Sequence, residues 1–351
     1  MNVKREMPRL RALLYGLVDN VRKVIVGKDR EIRLGLTASL GGGHLLLEDV
    51  PGTGKSMFAR ALAQSIAGEF KRIQCVPDLL PSDITGYTVY NRKTGDYEFK
   101  LGPLFANIVL ADEINRATPK TQAAFLEAMG EEKQVTVDGL TYVLPNPFFV
   151  LATENPVEFE GTFNLPEAQL DRFFIRMSLG HPDIQSLVAI LKQENNVHPI
   201  RTIKSVMRSE DFLGLQEAVK HVYVDDTIEE FLALIVHTTQ RLQEYPDICI
   251  KIGEALGVDL NGDSPLIFGA STRGAETLHR AAQVAAFFDE RDFVIPADVR
   301  QMAVPTLNHR VKVSSAVMSD NDNFRRMKLA EILIEVLVAA IPDPPLKNWK
   351  R

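Results

Sequence analysis

Gly52-Thr53-Gly54-Lys55-Ser56 has the residue types and the spacing to hold a phosphate. Glycines let successive backbone N–H groups curl around an anion. A helix that starts at the same place adds its positive dipole end. The lysine would neutralise β- and γ-phosphates, and the serine hydroxyl would join a magnesium shell. The candidate nucleotide-binding set is Pro51, Gly52, Thr53, Gly54, Lys55, Ser56 and Met57. The strict pattern opens on glycine, and Asp49 stands there instead. A carboxylate near an anion site is expected to shift nucleotide affinity. It is not expected to remove the site, because Gly52, Gly54, Lys55 and Ser56 are intact.

Further along, the apolar run Ile108-Val109-Leu110-Ala111 ends on Asp112 and Glu113. Acids at the carboxyl edge of a parallel strand lie where ligands bind. Asp112 is expected to share the magnesium with Ser56, through water. Glu113 is expected to orient and deprotonate an attacking water.

Strands and helices must bring these side chains together. Leu10, Leu13, Leu14, Leu17, Val18 and Val21 recur at helical spacing, so the chain opens on an amphipathic helix. HLLLE (His44 to Glu48) is a short apolar run before the glycine turn, and KSMFARALAQSIAG after it is helical by period. KRIQC, IVLAD, FFVLAT and FFIRMSL are further short, mostly apolar runs. Thr118 with Pro119 starts a helix that runs to Gly130. Short buried strands alternating with helices predict an α/β fold with a mostly parallel sheet of five strands. After His181-Pro182-Asp183 only helical periods are expected, so the chain divides into residues 1–182 and an all-α part, 183–351. Two hairpins are expected between strands. One joins Tyr87–Tyr90 to Tyr97–Phe99, and the other turns at Asp138-Gly139.

Composition narrows the partners. The 351 residues carry 40 Lys and Arg against 46 Asp and Glu, a net charge of −6. A chain that grips a duplex through its phosphates usually shows a basic balance. Cys75 and Cys249 lie in no metal-ligand spacing and read as reduced thiols of a cytoplasmic protein. Arg11 interrupts the first apolar stretch, so no signal peptide is expected. Glu331 and Glu335 interrupt the most apolar tail segment, so no membrane insertion is expected. His44, His181 and His309 form no metal-like spacing and are expected to be structural.

PGTGKS, DEINRA, ATENP and GTFNLPEAQLDRF, in this order and spacing, resemble the MoxR family of AAA+ ATPases. GASTRG is similar to that family's sensor-2 box, with Thr272 in place of the usual proline. The resemblance runs from about Val26 to His309-Arg310. It implies an AAA+ P-loop core followed by a smaller helical lid, with ATP and Mg2+ as cofactors. It implies Lys55 and Ser56 as the Walker A pair and Asp112 and Glu113 as Walker B. Asn155 matches sensor 1, which helps orient the attacking water. Arg172 stands where such proteins keep an arginine finger, and Arg273 matches the sensor-2 arginine. A guanidinium is a rigid, always charged donor fork, suited to charge on a transferring phosphoryl group. Arg172 lies far in sequence from the phosphate loop, so it is expected to act on a neighbour's nucleotide. That requires an oligomer. Arg116 is expected either to report across the subunit boundary or to form a salt bridge capping the following helix.

The expected activity is Mg-dependent ATP hydrolysis in a ring, a hexamer by resemblance, coupled to chaperone-like remodelling, assembly or maturation of protein complexes. The partners are a protein client and a separate protein with a von Willebrand factor A domain. In the resembling family the two hairpins are the helix-2 insert and the pre-sensor-1 hairpin. Their tips, acidic and apolar at Val137-Asp138-Gly139-Leu140 and mixed at Arg92, Lys93 and Asp96, favour protein over nucleic acid. The alternatives are a nucleic-acid motor on the same core and a slow, nucleotide-locked scaffold.

Overall fold

The structure, a computed structural model, describes residues 3–49, 52–155, 161–194, 199–260, 262–315, 317–318 and 323–345. Helices α1 (Val3–Val24) and α2 (Asp29–Leu40) lead into β1 (Leu45–Glu48). Leu10, Leu14, Leu17, Val18 and Val21 of α1 are buried, as their helical spacing requires. The core then alternates through α3 (Lys55–Ser65), β2 (Phe70–Gln74), α4 (Pro81–Thr85), the hairpin β3 (Gly86–Asn91) and β4 (Asp96–Leu101), and β5 (Ile108–Asp112). It continues with α5 (Pro119–Ala128), the hairpin β6 (Gln134–Val137) and β7 (Leu140–Val143), β8 (Phe149–Glu154), α6 (Glu167–Leu170), β9 (Ile175–Met177) and α7 (Ile184–Glu194).

Five strands form one sheet in the order β2-β5-β8-β1-β9. The pairs β2 with β5, β5 with β8 and β1 with β8 are parallel. β1 and β5 are buried along their whole length, and β8 along all but its last residue. That is why they read as unbroken apolar runs: helices cover both faces, so no face needs to be polar. Each fully buried Leu, Ile or Val there contributes roughly 1.5–3 kcal/mol of transfer free energy. Phe125 of α5 and Phe173 are fully buried in one apolar cluster with Val109, Val150 and Leu46. Thr118 caps α5 by accepting from Thr121 N, with Pro119 at the first helical position. At the base of the first hairpin two backbones cross. A Cβ on Gly102 would lie 2.3 Å from Ile84 O, so only glycine fits.

The remaining elements are α8 (Ser209–Lys220), α9 (Asp226–Gln240), α10 (Pro246–Leu256), β10 (Leu266–Phe268), α11 (Thr272–Phe288), α12 (Pro296–Leu307), β11 (Lys312–Val313) and α13 (Asn323–Ala340). Strands were not expected here, yet β10 and β11 pair antiparallel. At three and two residues they are too short for a period of two to show in the sequence. In this part Arg291 binds Asp298 through both terminal nitrogens, and Arg300 is bound to Asp343.

The change from strands to helices falls near residue 183, but the compact units divide later. One holds the chain through Phe173 together with Met177–Gln216, and the other holds Phe174–Arg176 and the chain from Glu217. The physical reason lies in residues 203–216, which are tied to the first unit. Gln64 Nε2 donates to Ile203 O, Val206 N to Ser65 O, and Gln216 Nε2 to Ser39 O. Those bonds are long-range and leave no mark on the helical period.

Candidate active site

The turn between β1 and α3 is built by positive backbone angles. Gly52 has φ +87 and Gly54 φ +95, and a Cβ at Gly52 would meet nothing within 4 Å. Gly54 serves as N-cap of α3, so Lys55, Ser56 and Met57 form its first turn. The first N–H groups of that turn lack intrahelical partners and suit an anion. Pro51 lies outside the described residues.

Lys55 Nζ donates to the main-chain oxygen of Asp49 at 2.8 Å. Burial lowers the Lys55 pKa from its ordinary value, while Asp49, Asp112 and Glu113 pull the other way. A buried ammonium of this kind gains from an anionic ligand, which would return the solvation that burial removed. The Asp49 carboxylate is not aimed at the phosphate turn. It accepts from Leu179 N at 2.6 Å, Gly180 N at 3.1 Å and Ser178 Oγ at 3.0 Å. Asp49 therefore anchors the chain that leaves β9, and the expected conflict with an anion does not arise from its hydrogen bonding. Asp49→Ala would strand two main-chain donors, at about 1–3 kcal/mol for each donor left buried. The expected result is a lower thermal midpoint with no gain in ATP affinity. Tighter binding at unchanged stability would mean that the carboxylate does repel the nucleotide.

At the carboxyl edge of the sheet, Asp112 is held from two sides. Oδ1 accepts from Thr153 Oγ1 at 2.7 Å, and Oδ2 accepts from Arg72 Nε at 3.0 Å and Nη2 at 2.6 Å. Glu113 takes a left-handed backbone, φ 58 and ψ 53, and its N–H donates to Thr153 Oγ1 at 2.8 Å. Its Oε2 accepts from Arg116 Nη1 at 3.0 Å and Gln74 Nε2 at 3.1 Å. Arg116 thus forms an ion pair with Glu113. Asn155 is buried directly after β8, the strand that carries Thr153.

Arg172 is exposed, and its Nη1 donates to Leu126 O in the last turn of α5 at 2.6 Å. Arg273 is exposed in the first turn of α11, behind Ser271, which caps the helix by accepting from Gly274 N. Arg273 belongs to the second compact unit. Within the first unit, the parallel sheet ends its strands on one edge, which gathers Lys55, Asp112, Glu113 and Asn155. The donor set fits a polyphosphate with a divalent cation: an open glycine turn, an ammonium, a first-turn hydroxyl at Ser56 and a carboxylate at a strand end.

Arg72, Gln74 and Thr153 were not assigned from the sequence. Register explains them. Gln74 pairs with Asp112 across β2 and β5, so β2 must lie next to the acids, and nothing in the local sequence states strand order. His44 was read as structural, and it is. It lies between the Phe148 and Phe149 rings, its Nδ1 accepts from Val150 N, and burial pushes its pKa down to about 3.

Residues 44–175 match the ATPase family associated with various cellular activities (AAA), and residues 265–328 match the AAA lid domain. The uncharacterized protein YeaC of Bacillus subtilis is 44% identical, with 97% of this chain and 98% of that protein covered. Chaperone MoxR1 of Mycobacterium tuberculosis is 36% identical over 86% of this chain and 76% of that protein. A solved structure from Cytophaga hutchinsonii, assigned as an ATPase, superposes with a TM-score of 0.84 at 36% identity and covers 97% of both chains.

Proposed function

The chain belongs to the MoxR family of AAA+ ATPases, and we propose that it is a Mg-dependent, ring-forming ATPase that remodels protein complexes. The observation that carries this reading is the carboxyl edge of the sheet, where the phosphate turn after β1, the two fixed acids at the end of β5 and the buried Asn155 after β8 stand at the ends of neighbouring parallel strands. The nucleotide would lie on Gly52, Thr53 and Gly54, with Lys55 against its β- and γ-phosphates. Ser56 and Asp112 would hold magnesium, which supplies charge neutralisation on the phosphates. Glu113 would take the proton of the attacking water, and Asn155 would orient that water. Arg172 would reach the nucleotide of the next subunit in a ring of six. Arg273, as the sensor-2 arginine, would meet the γ-phosphate.

Exposed side chains on the hairpins support a protein client. Tyr90 and Tyr97 face each other across β3 and β4 with centroids 5.3 Å apart, and are 56% and 76% exposed. Leu140 and Val143 are exposed on β7. The two hairpins are coupled, because the Phe99 and Tyr142 rings stack at 4.0 Å. Aromatic and aliphatic groups suit a polypeptide better than a phosphate backbone. Among the described residues no helix is long and apolar enough to cross a membrane. The proposed setting is the cytoplasm, with a separate von Willebrand factor A domain protein as partner, as the family resemblance implies.

Turnover of the purified protein tests the reading directly. Wild type is expected to release phosphate from ATP with magnesium and to assemble into larger species with nucleotide, read by native mass. Lys55→Ala is expected to lose most ATP affinity in calorimetry, because Lys55 is the one cation within the loop. Unchanged affinity in that variant would remove the site assignment.

A further inference from the structure

Thr153 stands near the end of β8, the central strand of the sheet. It pairs with Leu47 of β1, the strand that feeds the phosphate turn. On the other side the register runs Leu110 with Leu151 and Ala111 with Ala152, so its continuation places Thr153 beside Asp112. Its side chain is fully buried, at 0% exposure. A hydroxyl has one donor and two acceptor positions. Here Oγ1 donates to Asp112 Oδ1 at 2.7 Å and accepts from Glu113 N at 2.8 Å.

Those two bonds act on both acids at once. Arg72 occupies Oδ2 with two N–H bonds, so the Asp112 carboxylate is held from both sides, and Oδ1 keeps a second lone pair for a metal-bound water. The left-handed backbone of Glu113 is disfavoured by about 1–2 kcal/mol for a residue with a Cβ. Its N–H finds a partner in the Thr153 hydroxyl, which offsets that cost and holds the turn that aims the Glu113 side chain. A side chain needed only for its bulk would be served equally by valine, which has the same shape and neither bond.

We propose that Thr153 is a positioning residue for hydrolysis: its hydroxyl sets the metal-holding carboxylate of Asp112 and the backbone turn of Glu113 together. It touches neither nucleotide nor water. It ties the acids to β8, which ends on Glu154 just before Asn155, so both sides of the attacking water share one support. This inference rests on the roles given above to Asp112 and Glu113.

The test uses the full chain with Thr153→Val and Thr153→Ser, beside wild type and Glu113→Gln. Four quantities are read: affinity for ADP in EDTA, Mn2+ affinity in the presence of ADP by electron paramagnetic resonance, kcat with KM for ATP, and the thermal midpoint. Thr153→Val is expected to bind metal-free ADP within about 2-fold of wild type. Its Mn2+ affinity and kcat should each fall by roughly 10–100-fold, the usual cost of removing a group that orients a metal ligand, with KM little changed. Thr153→Ser keeps the hydroxyl and is expected to restore both. Thr153→Val with wild-type Mn2+ affinity and turnover would overturn the proposal. So would a serine variant with full ADP binding but the valine defect, or a loss of metal-free ADP binding in step with activity. If Thr153→Val does not fold, the serine variant still decides, because it must behave as wild type. Glu113→Gln separates the two readings. Normal turnover in that variant removes the base assignment, while the Mn2+ measurement continues to judge the hold on Asp112.

Discussion

Arg172→Ala is expected to bind ATP nearly as well as wild type and to hydrolyse it far more slowly. Arginine fingers are worth around 10³–10⁵ in other phosphoryl-transfer systems, and a ring ATPase is expected to show the lower part of that range. The structure adds a competing account that the experiment must separate. Arg172 donates to Leu126 O, in the last turn of α5, where a cation also meets the negative end of the helix. Losing that bond costs on the order of 1 kcal/mol of stability within one subunit. A thermal scan measures that part, and mixing measures the other. Arg172→Ala subunits keep a complete phosphate site, and Lys55→Ala subunits keep the arginine. Neither should turn over alone. In a mixed ring the nucleotide on an Arg172→Ala subunit can face the arginine of a Lys55→Ala neighbour, so partial activity should return. A helix-end contact predicts no rescue, since the defect would stay inside one chain. No recovery in rings whose mixing is verified by mass would rule out action in trans.

Glu113→Gln is expected to keep ATP binding and to lose hydrolysis by about 10²-fold or more, the scale of a missing general base. The local geometry makes this substitution a clean one. Glu113 Oε2 accepts from Arg116 and from Gln74, and glutamine retains an oxygen of the same reach. The Thr153 bond to the Glu113 backbone is untouched by the change. The fold of the site should therefore persist while the proton acceptor is gone. Calorimetry on ATP and single-turnover phosphate release are the two measurements, and normal release would remove Glu113 from the mechanism. The same variant, stalled with ATP, is the form in which a client should be held longest. Pull-down from native cells with it is the direct route to the client.

Local chemistry made much of this protein legible in one dimension. The glycine turn, the acid pair and the five apolar runs each carry their meaning within a few residues. A phosphate cradle needs glycine and lysine side by side, and a strand buried on both faces needs an unbroken apolar run. The Asp138-Gly139 turn and the Thr118-Pro119 helix start are equally local, and both stand where the sequence places them. β10 and β11 were missed because two or three residues are too few for a period to register.

Only the tertiary structure decided what these groups lean on. Asp49 read as a carboxylate beside an anion, and its oxygens in fact face Ser178, Leu179 and Gly180, some 130 residues along the chain. Arg72, Gln74 and Thr153 reach the acid pair because β2 and β8 flank β5, a strand order that no local pattern encodes. The compact units divide at Gln216 because residues 203–216 bond back to α2 and α3, whatever their own helical period says. Periodicity reports which side of an element is apolar. The partner that covers it is chosen by long-range packing, and a hydrogen bond between distant residues is drawn only when the sheet closes.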